Sequence, residues 1–369
     1  MQLKYMINGV GIYIEEDGDK SWNAIITDWL EKELDASLSE MDERAIQQKL
    51  FIKPYSSLLH NKTTCPRLVT PNYSVLQDGI FISLVLKIAL KSEKDYSILW
   101  VDKENLADVL DAFLLPFVLQ MLFLQRNMAF IHSIGIVVND KAILLPALPG
   151  MHKTAFISAA MRVEGVKMLG DELVLIDKDG YLYPYPGHCW LTAEHKPFFP
   201  EYFENNKVVF STELKLNLGE RIFRRFRYVL YNLKLLGKLD NKPYSIWVPP
   251  SLLFSRDKIV HERIVIDKVY VLRKWRGIDE IRCTMIEDTA MIANFCVSTL
   301  AFEMYVMQKL NYNMLTQKGE NISKYFGFAE HVIQDGLNRS NSKYYVDIPE
   351  TWNASDVVRG ILSLVVKPN

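Results

Sequence analysis

The sequence predicts an α/β protein in which a smaller α+β domain precedes a domain built on a mixed, strongly twisted sheet. Runs of strand-like apolar residues alternate along the chain with runs at helical spacing. A strand, loop and helix follow one another directly at residues 142–163. The chain has 369 residues, 49% of them hydrophobic and 24% charged. At roughly 150 residues per domain, this length accommodates about two domains with buried cores.

The N-terminal region shows both strand and helix patterns. Asn8 and Gly9 tolerate positive φ and separate two apolar runs, which predicts a β-hairpin. Apolar side chains in residues 22–34 recur every three or four positions and predict a helix with one apolar face. Residues 80–86 and 97–101 have the length and composition of strands. These patterns predict the α+β domain.

A helix is predicted to begin at Asp102 or Asn105 and to run toward Arg126. We place a domain boundary near residue 110, within this segment. The predicted organisation is an N-terminal α+β domain at residues 1–110, a larger α/β domain at residues 111–315 and a C-terminal appendage at residues 316–369.

Charge and cysteine usage exclude several classes of protein. The 43 basic and 44 acidic residues give a formal charge of −1, which argues against a general nucleic-acid binder. The four cysteines form no C-x-x-C pair, so they indicate neither a zinc site nor a disulfide framework. The most apolar segment, residues 112–124, is interrupted by Pro116 and Gln120 and is too short to span a bilayer. With no secretory signal recognised, we expect a cytoplasmic protein that does not enter membranes.

The loop at residues 147–154 combines several features of a phosphate-binding loop. It follows a predicted strand, precedes a predicted helix, and ends in Lys153 and Thr154. In such a Walker A loop, backbone N–H groups surround a phosphate, the lysine reaches the β- and γ-phosphates, and the threonine hydroxyl binds magnesium. Ala147 and His152 replace the two glycines of the pattern, and Gly150 is retained between them.

An acidic pair, Asp171 and Glu172, follows the next predicted strand at residues 166–169. A nucleotide-dependent phosphotransferase needs carboxylates at such a place. One carboxylate binds the metal, and the other accepts a proton from the attacking hydroxyl. The loop and the pair together indicate phosphoryl transfer.

These segments resemble, in their order, the HPr kinase-like group of the phosphoenolpyruvate-carboxykinase-type P-loop fold. The resemblance covers roughly residues 125–310. It begins with His132 on the strand before the loop and includes residues 142–154, 164–172 and 179–186, while residues 246–254 and 269–273 look like the final strands of that group.

The resemblance implies a magnesium-dependent kinase that uses ATP or another nucleoside triphosphate. The implied acceptor is a hydroxyl, for example that of a serine, in a peptide, a small protein or a small molecule. Homo-oligomers are common in such kinases, and assembly of this chain stays open. The implied nucleotide-binding residues are Gly150, Met151, His152, Lys153 and Thr154.

The resemblance also implies roles for the polar residues around the loop. Asp171 would act as general base, and His132 would orient or polarise it. Lys153 would stabilise charge on the transferring group. Thr154 and Glu172 would bind or support the magnesium ion.

Two alternatives stay open at this point. The first is a catalytically degenerate protein of the same fold that binds nucleotide or a partner protein. It is suggested by Ala147 and His152, which replace glycines of the loop. Residues 221–242 interleave arginines and lysines with aromatic residues, a pattern that can bind single-stranded nucleic acid. For that segment we favour an amphipathic helix with its arginines in water, or one that receives an acidic peptide or nucleotide phosphates.

Overall fold

The computed structural model describes residues 2–15, 20–34, 43–60, 66–69, 73–76, 79–83, 87–102, 114–185, 187–208, 245–303 and 322–366. Within these ranges the chain is a mixed α/β protein with two eight-stranded sheets and one two-stranded sheet. This architecture confirms the predicted α/β class. The basic segment at residues 221–242 and the predicted boundary near residue 110 lie outside the described residues.

The first sheet contains the N-terminal strands. Its strand order is β1-β2-β3-β8-β7-β6-β5-β4, in which β2, β3 and β8 run parallel and the other neighbours are antiparallel. The predicted hairpin joins β1 to β2, with Asn8 at φ 46° and Gly9 at φ 82°. The strands are β1 (Gln2–Ile7), β2 (Val10–Ile14), β3 (Gln48–Pro54), β4 (Pro66–Val69), β5 (Tyr73–Leu76), β6 (Phe81–Ser83), β7 (Ile88–Ser92) and β8 (Tyr96–Val101).

The helices of the described residues cover these sheets. The predicted apolar face of α1 buries Trp22, Ile26 and Leu30 in the same core as β3. The indole of Trp22 also donates to the carbonyl of Val101 at 3.1 Å. The helices are α1 (Lys20–Leu34), α2 (Tyr55–His60), α3 (Leu114–Leu124), α4 (Lys153–Met161), α5 (Pro200–Asn206), α6 (Thr289–Glu303), α7 (Ile322–Leu337) and α8 (Ala354–Val365).

The remaining strands form the second and third sheets. In the second sheet, β9 is buried along its whole length and pairs antiparallel with β10, β11 and β12. Because β10 also pairs in parallel with β16, the path β10-β9-β12-β13-β16 returns to its first strand. These strands are β9 (Met128–Val138), β10 (Lys141–Pro146), β11 (Val166–Gly170), β12 (Leu173–Asp177), β13 (Tyr181–Tyr183), β14 (Cys189–Thr192), β15 (Ser245–Val248), β16 (Ile264–Trp275), β17 (Arg282–Met285) and β18 (Ser342–Pro349).

Helix α3 joins the two large sheets through one core. Its apolar residues pack together with residues of β3 and with Phe130 of β9. Gln120, which interrupts the apolar run in the sequence, accepts a hydrogen bond from the backbone N–H of Phe130 at 2.7 Å. No helix in the described part of the chain is long and apolar enough to cross a membrane.

The C-terminal residues are integral to the second sheet, whereas the sequence suggested an appendage. Strand β18 lies between β16, its parallel neighbour, and β17, its antiparallel neighbour. Helix α8 shares a core cluster with α4. The loop predicted at residues 336–343 shrinks to a turn, because α7 extends to Leu337 and β18 begins at Ser342. The first residues of β18 are partly exposed, so they lack the alternation of apolar and polar residues that predicts a strand.

Candidate active site

The predicted phosphate-binding loop connects β10 to α4. Gly150 has φ 81°, and His152, immediately before α4, has φ 57° and ψ 37°. The left-handed region costs an L-residue about 1 kcal/mol or more, so a histidine here adopts the backbone that a glycine would prefer. Ala147 instead continues the strand and bridges Leu272 of β16. The side chain of Met151 is buried in the apolar core, so only its backbone is available to a ligand.

The two residues that close the loop begin α4 and point toward the acidic pair. Lys153 and Thr154 are both buried. The hydroxyl of Thr154 donates to Oδ2 of Asp171 at 2.8 Å. The ammonium of Lys153 lies 3.2 Å from Oε2 of Glu172 and also contacts the imidazole of His132. Residues from three separate parts of the sequence therefore meet at one place.

The acidic pair occupies the tight turn between β11 and β12, and its two members have different surroundings. Asp171 is 1% exposed, whereas the side chain of Glu172 is 27% exposed. Gly170 permits this turn, because a Cβ atom there would lie 2.2 Å from the carbonyl oxygen of Leu173. The backbone N–H of Ser133 donates to the carbonyl of Glu172 at 3.0 Å and fixes the turn against β9.

His132 lies on β9, and its imidazole supports Glu172. Its Nε2 atom is 2.9 Å from Oε2 of Glu172 and next to the ammonium of Lys153. The resemblance implied that His132 would orient Asp171. In the structure, the imidazole contacts Glu172 and Lys153.

Burial and charge separate the pKa values of the two carboxyls. Burial, with the neighbouring charge of Glu172, raises the pKa of Asp171 to about 7, although the hydrogen bond from Thr154 and the charge of Lys153 oppose the rise. Burial would also raise the pKa of Glu172, but the Lys153 ammonium and the His132 hydrogen bond outweigh it and hold that pKa well below its ordinary range. One carboxyl therefore titrates near neutrality while the other stays charged.

A pocket of about 360 Å³ opens in front of these groups, a volume typical of small-molecule sites. The polar side chains of the loop, strand β9 and the acidic turn form one group of lining residues, which we call the polar wall: His132, His152, Lys153, Thr154 and Glu172. Asp171 lies behind Thr154 and does not line the pocket. Its Oδ1 atom is buried and accepts no conventional hydrogen bond from the described residues, although the weakly polar thiol of Cys189 lies nearby.

A second group of lining residues, the aromatic wall, consists of His188, Trp190 and Trp247, whose rings contact one another. Trp190 of β14 and Trp247 of β15 are directly opposite each other in the two-stranded sheet, with ring centroids 6.4 Å apart. The imidazole of His188 stacks on Trp247 with centroids 3.6 Å apart. Sequence reasoning missed this wall. Each tryptophan lies in a short apolar run, but only the pairing of two distant strands brings them together.

Two further histidines near the pocket are poor sources of positive charge at neutral pH. Burial, and then the charge of Lys274, lowers the pKa of His152. Burial also lowers the pKa of His195, to which the backbone N–H of Thr192 donates at 3.0 Å. Lys153 is the one lysine or arginine among the described residues that line the pocket.

The predicted magnesium-binding residues have suitable donor atoms. Thr154 offers a hydroxyl oxygen and Glu172 a carboxylate that is charged over the usual pH range. Magnesium prefers oxygen ligands and is commonly bound by one or two protein groups together with water and phosphate oxygens. Within the described ranges, no group of three or more histidine, cysteine, aspartate or glutamate residues could hold a metal without such help. The residues fit magnesium that arrives with a phosphate ligand.

No protein-family model matches this chain, and no curated protein is significantly similar to it. A functional assignment therefore depends on the geometry of the pocket and on the chemistry of the residues that line it.

Proposed function

We propose that this protein is a magnesium-dependent kinase of the HPr kinase-like P-loop fold. It transfers the γ-phosphoryl group of ATP or another nucleoside triphosphate to a hydroxyl of a peptide, a small protein or a small molecule. One observation carries the proposal: Lys153 and Thr154 at the start of α4 contact Glu172 and Asp171 at the end of β11, beside one pocket. This arrangement supplies a phosphate-binding helix terminus and two carboxyls of different pKa.

The phosphate end of the donor lies at the loop. The first backbone N–H groups of α4 have no partner within the helix and can donate to an anion. An ammonium group has three donors. Glu172 and His132 contact the ammonium of Lys153, which leaves a third N–H to donate to a phosphate oxygen and stabilise the charge that develops during transfer.

Thr154 and Glu172 would hold the magnesium ion, which neutralises phosphate charge when it is bound. His132 keeps Glu172 oriented and, together with Lys153, keeps its carboxylate ionised. These contacts give Glu172 a low pKa, so it is a poor proton acceptor at neutral pH.

Asp171 is the carboxyl whose pKa suits proton transfer near neutrality. It lies behind Thr154, which donates to its Oδ2 atom. When the Thr154 hydroxyl turns away, Oδ2 is released toward the pocket and can accept the proton of the acceptor hydroxyl. Burial thus both raises the pKa of the base and shields it until the donor is in place.

A second candidate function is a nucleotide-binding protein without chemistry. It is favoured by His152, which adopts a left-handed backbone in place of glycine, and by the contacts that already hold Lys153. This candidate predicts tight binding of Mg-ATP without release of ADP for any acceptor.

The test measures transfer of the γ-phosphoryl group from labelled Mg-ATP to a panel of serine peptides, small proteins and small hydroxyl compounds. The Lys153→Ala variant should lose at least about 100-fold in kcat/KM, because it lacks the charge at the transferring group. Lys167→Ala is the matched control, since Lys167 is an exposed lysine on β11. Transfer that survives in the Lys153 variant contradicts the proposal, and binding without transfer selects the second candidate.

A further inference from the structure

The aromatic wall has no role in the phosphoryl chemistry, yet it forms part of the same pocket. Trp190 is 45% exposed although it lines a concave site, so much of this large aromatic side chain is open to a ligand. His188 covers one face of Trp247, and Trp247 lies beside Trp190. Trp190 therefore packs beside Trp247 and keeps part of its ring accessible.

The wall is attached to the phosphate-binding loop through α4 and Asp171. Helix α4 contacts β14 directly. Cys189, the residue before Trp190, is buried with its thiol beside Asp171, and this burial raises the pKa of the thiol. Trp190 and Lys153 thus lie on elements that contact each other, and both line the same pocket.

The charged side chains that line the pocket differ between the loop and the aromatic wall. Lys153 carries positive charge at the loop, while Glu194 and His195, whose pKa is lowered mainly by burial, directly follow strand β14 of the wall. An anionic group is therefore favoured at the loop and disfavoured at the wall. A ligand that suits both has phosphates at the loop and a flat, uncharged aromatic ring at the wall.

We infer that Trp190, supported by Trp247 and His188, is the stacking surface for the base of the nucleoside triphosphate. This inference rests on the proposed function and names the subsite that binds the uncharged end of the donor. Stacking on an indole accepts any base, because every base has a π-face, and it favours purines through their larger overlap.

Calorimetry with two probes separates the base from the phosphates. Mg-ATP carries both, whereas inorganic tripolyphosphate with magnesium carries phosphates alone. Trp190→Ala should weaken the binding of Mg-ATP by about 5- to 100-fold and leave the affinity for tripolyphosphate unchanged. Trp190→Phe should keep most of the affinity for Mg-ATP. Lys153→Ala should weaken the binding of both ligands. Trp275→Ala is the matched control, because Trp275 is 51% exposed and does not line the pocket.

Tripolyphosphate binding also reports whether the Trp190 variant is folded at the site. If that variant binds Mg-ATP as the wild type does, or loses both ligands equally, the stacking inference is overturned while the phosphate site stands. Wild-type binding of Mg-ATP that is no tighter than that of tripolyphosphate overturns it as well. If the wild type binds neither probe, the proposed nucleotide donor fails together with the inference.

Discussion

The polar wall and the aromatic wall of the pocket are built by different means. The polar wall comes from one strand, one loop and the tight turn after β11, all within residues 132–172. The aromatic wall needs β14 and β15, which are separated by more than 50 residues in the sequence. In the sequence, the polar wall has the residue types that phosphate chemistry uses. The aromatic wall has only tryptophans in short apolar runs.

This difference shows which parts of a site have a local signal. Phosphate chemistry requires lysine, threonine and carboxylates at nearly fixed spacing, because a helix terminus and a strand end position them. Base stacking requires only an exposed ring at the right distance, which many sequences can supply. The polar wall should therefore tolerate substitution poorly, and the aromatic wall should tolerate conservative exchange.

The largest effect is expected at the two carboxyls behind and within the polar wall. Asp171→Asn keeps the shape but cannot accept a proton, so kcat should fall by about 100- to 10,000-fold. The rise of kcat/KM with pH through neutrality, which reflects the raised pKa of Asp171, should disappear with it. Rate measurements across pH in the variant and in the wild type check this.

Glu172→Gln is the matched comparison for Asp171→Asn. It should raise the magnesium concentration needed for half-maximal activity by about 10- to 100-fold and keep the pH dependence. If the pH dependence vanishes in the Glu172 variant and persists in the Asp171 variant, the roles of the two carboxyls are exchanged.

A smaller effect concerns stability. Asp171 has a folded-state pKa of about 7 against an ordinary value of 3.8, so the folded state keeps a proton that the unfolded state has lost. The stabilisation is fully present below the ordinary value and is lost as the pH rises through about 7. The free energy of unfolding of the wild type should fall relative to Asp171→Asn by up to about 1.4 kcal/mol per pH unit in this window. Denaturant unfolding at several pH values measures it.

Glu172 does not disturb that measurement. Its pKa is lowered in the folded state, so its contribution is present above its ordinary pKa of 4.5 and is lost only in more acidic solution. Parallel pH profiles for the wild type and the Asp171 variant would show that Asp171 is not protonated in the folded protein.

The smallest effect is expected at His152, where the loop departs from the usual pattern. His152→Gly should be more stable than His152→Ala by about 1 kcal/mol, because only glycine adopts φ 57° without steric cost. Thermal unfolding of the two variants measures the difference. Equal stabilities would mean that the loop does not hold this backbone conformation, which would weaken the phosphate-binding assignment as well.

Much of the fold around the loop was predictable because its signals are local. The Asn8-Gly9 hairpin, the apolar face of α1, and the order β10, loop, α4 and β11 all follow from turn chemistry and periodicity. The internal position of β18 was not predictable, since its first residues are partly exposed and its partners β16 and β17 precede it by many residues. The contact between His132 and Glu172 was not predictable either. It depends on the directions in which side chains leave separate elements.

The sequence by itself determined the α/β class and the residues of the polar wall, because strand and helix periods and the chemistry of phosphate binding act over short distances. Only the tertiary structure decided that Asp171 is buried while Glu172 faces the pocket, and so which carboxyl titrates near neutrality. It alone brought Trp190 and Lys153 into one pocket. The physical reason is that burial, electrostatic coupling and strand pairing depend on neighbours in space, which the order of residues along the chain does not specify.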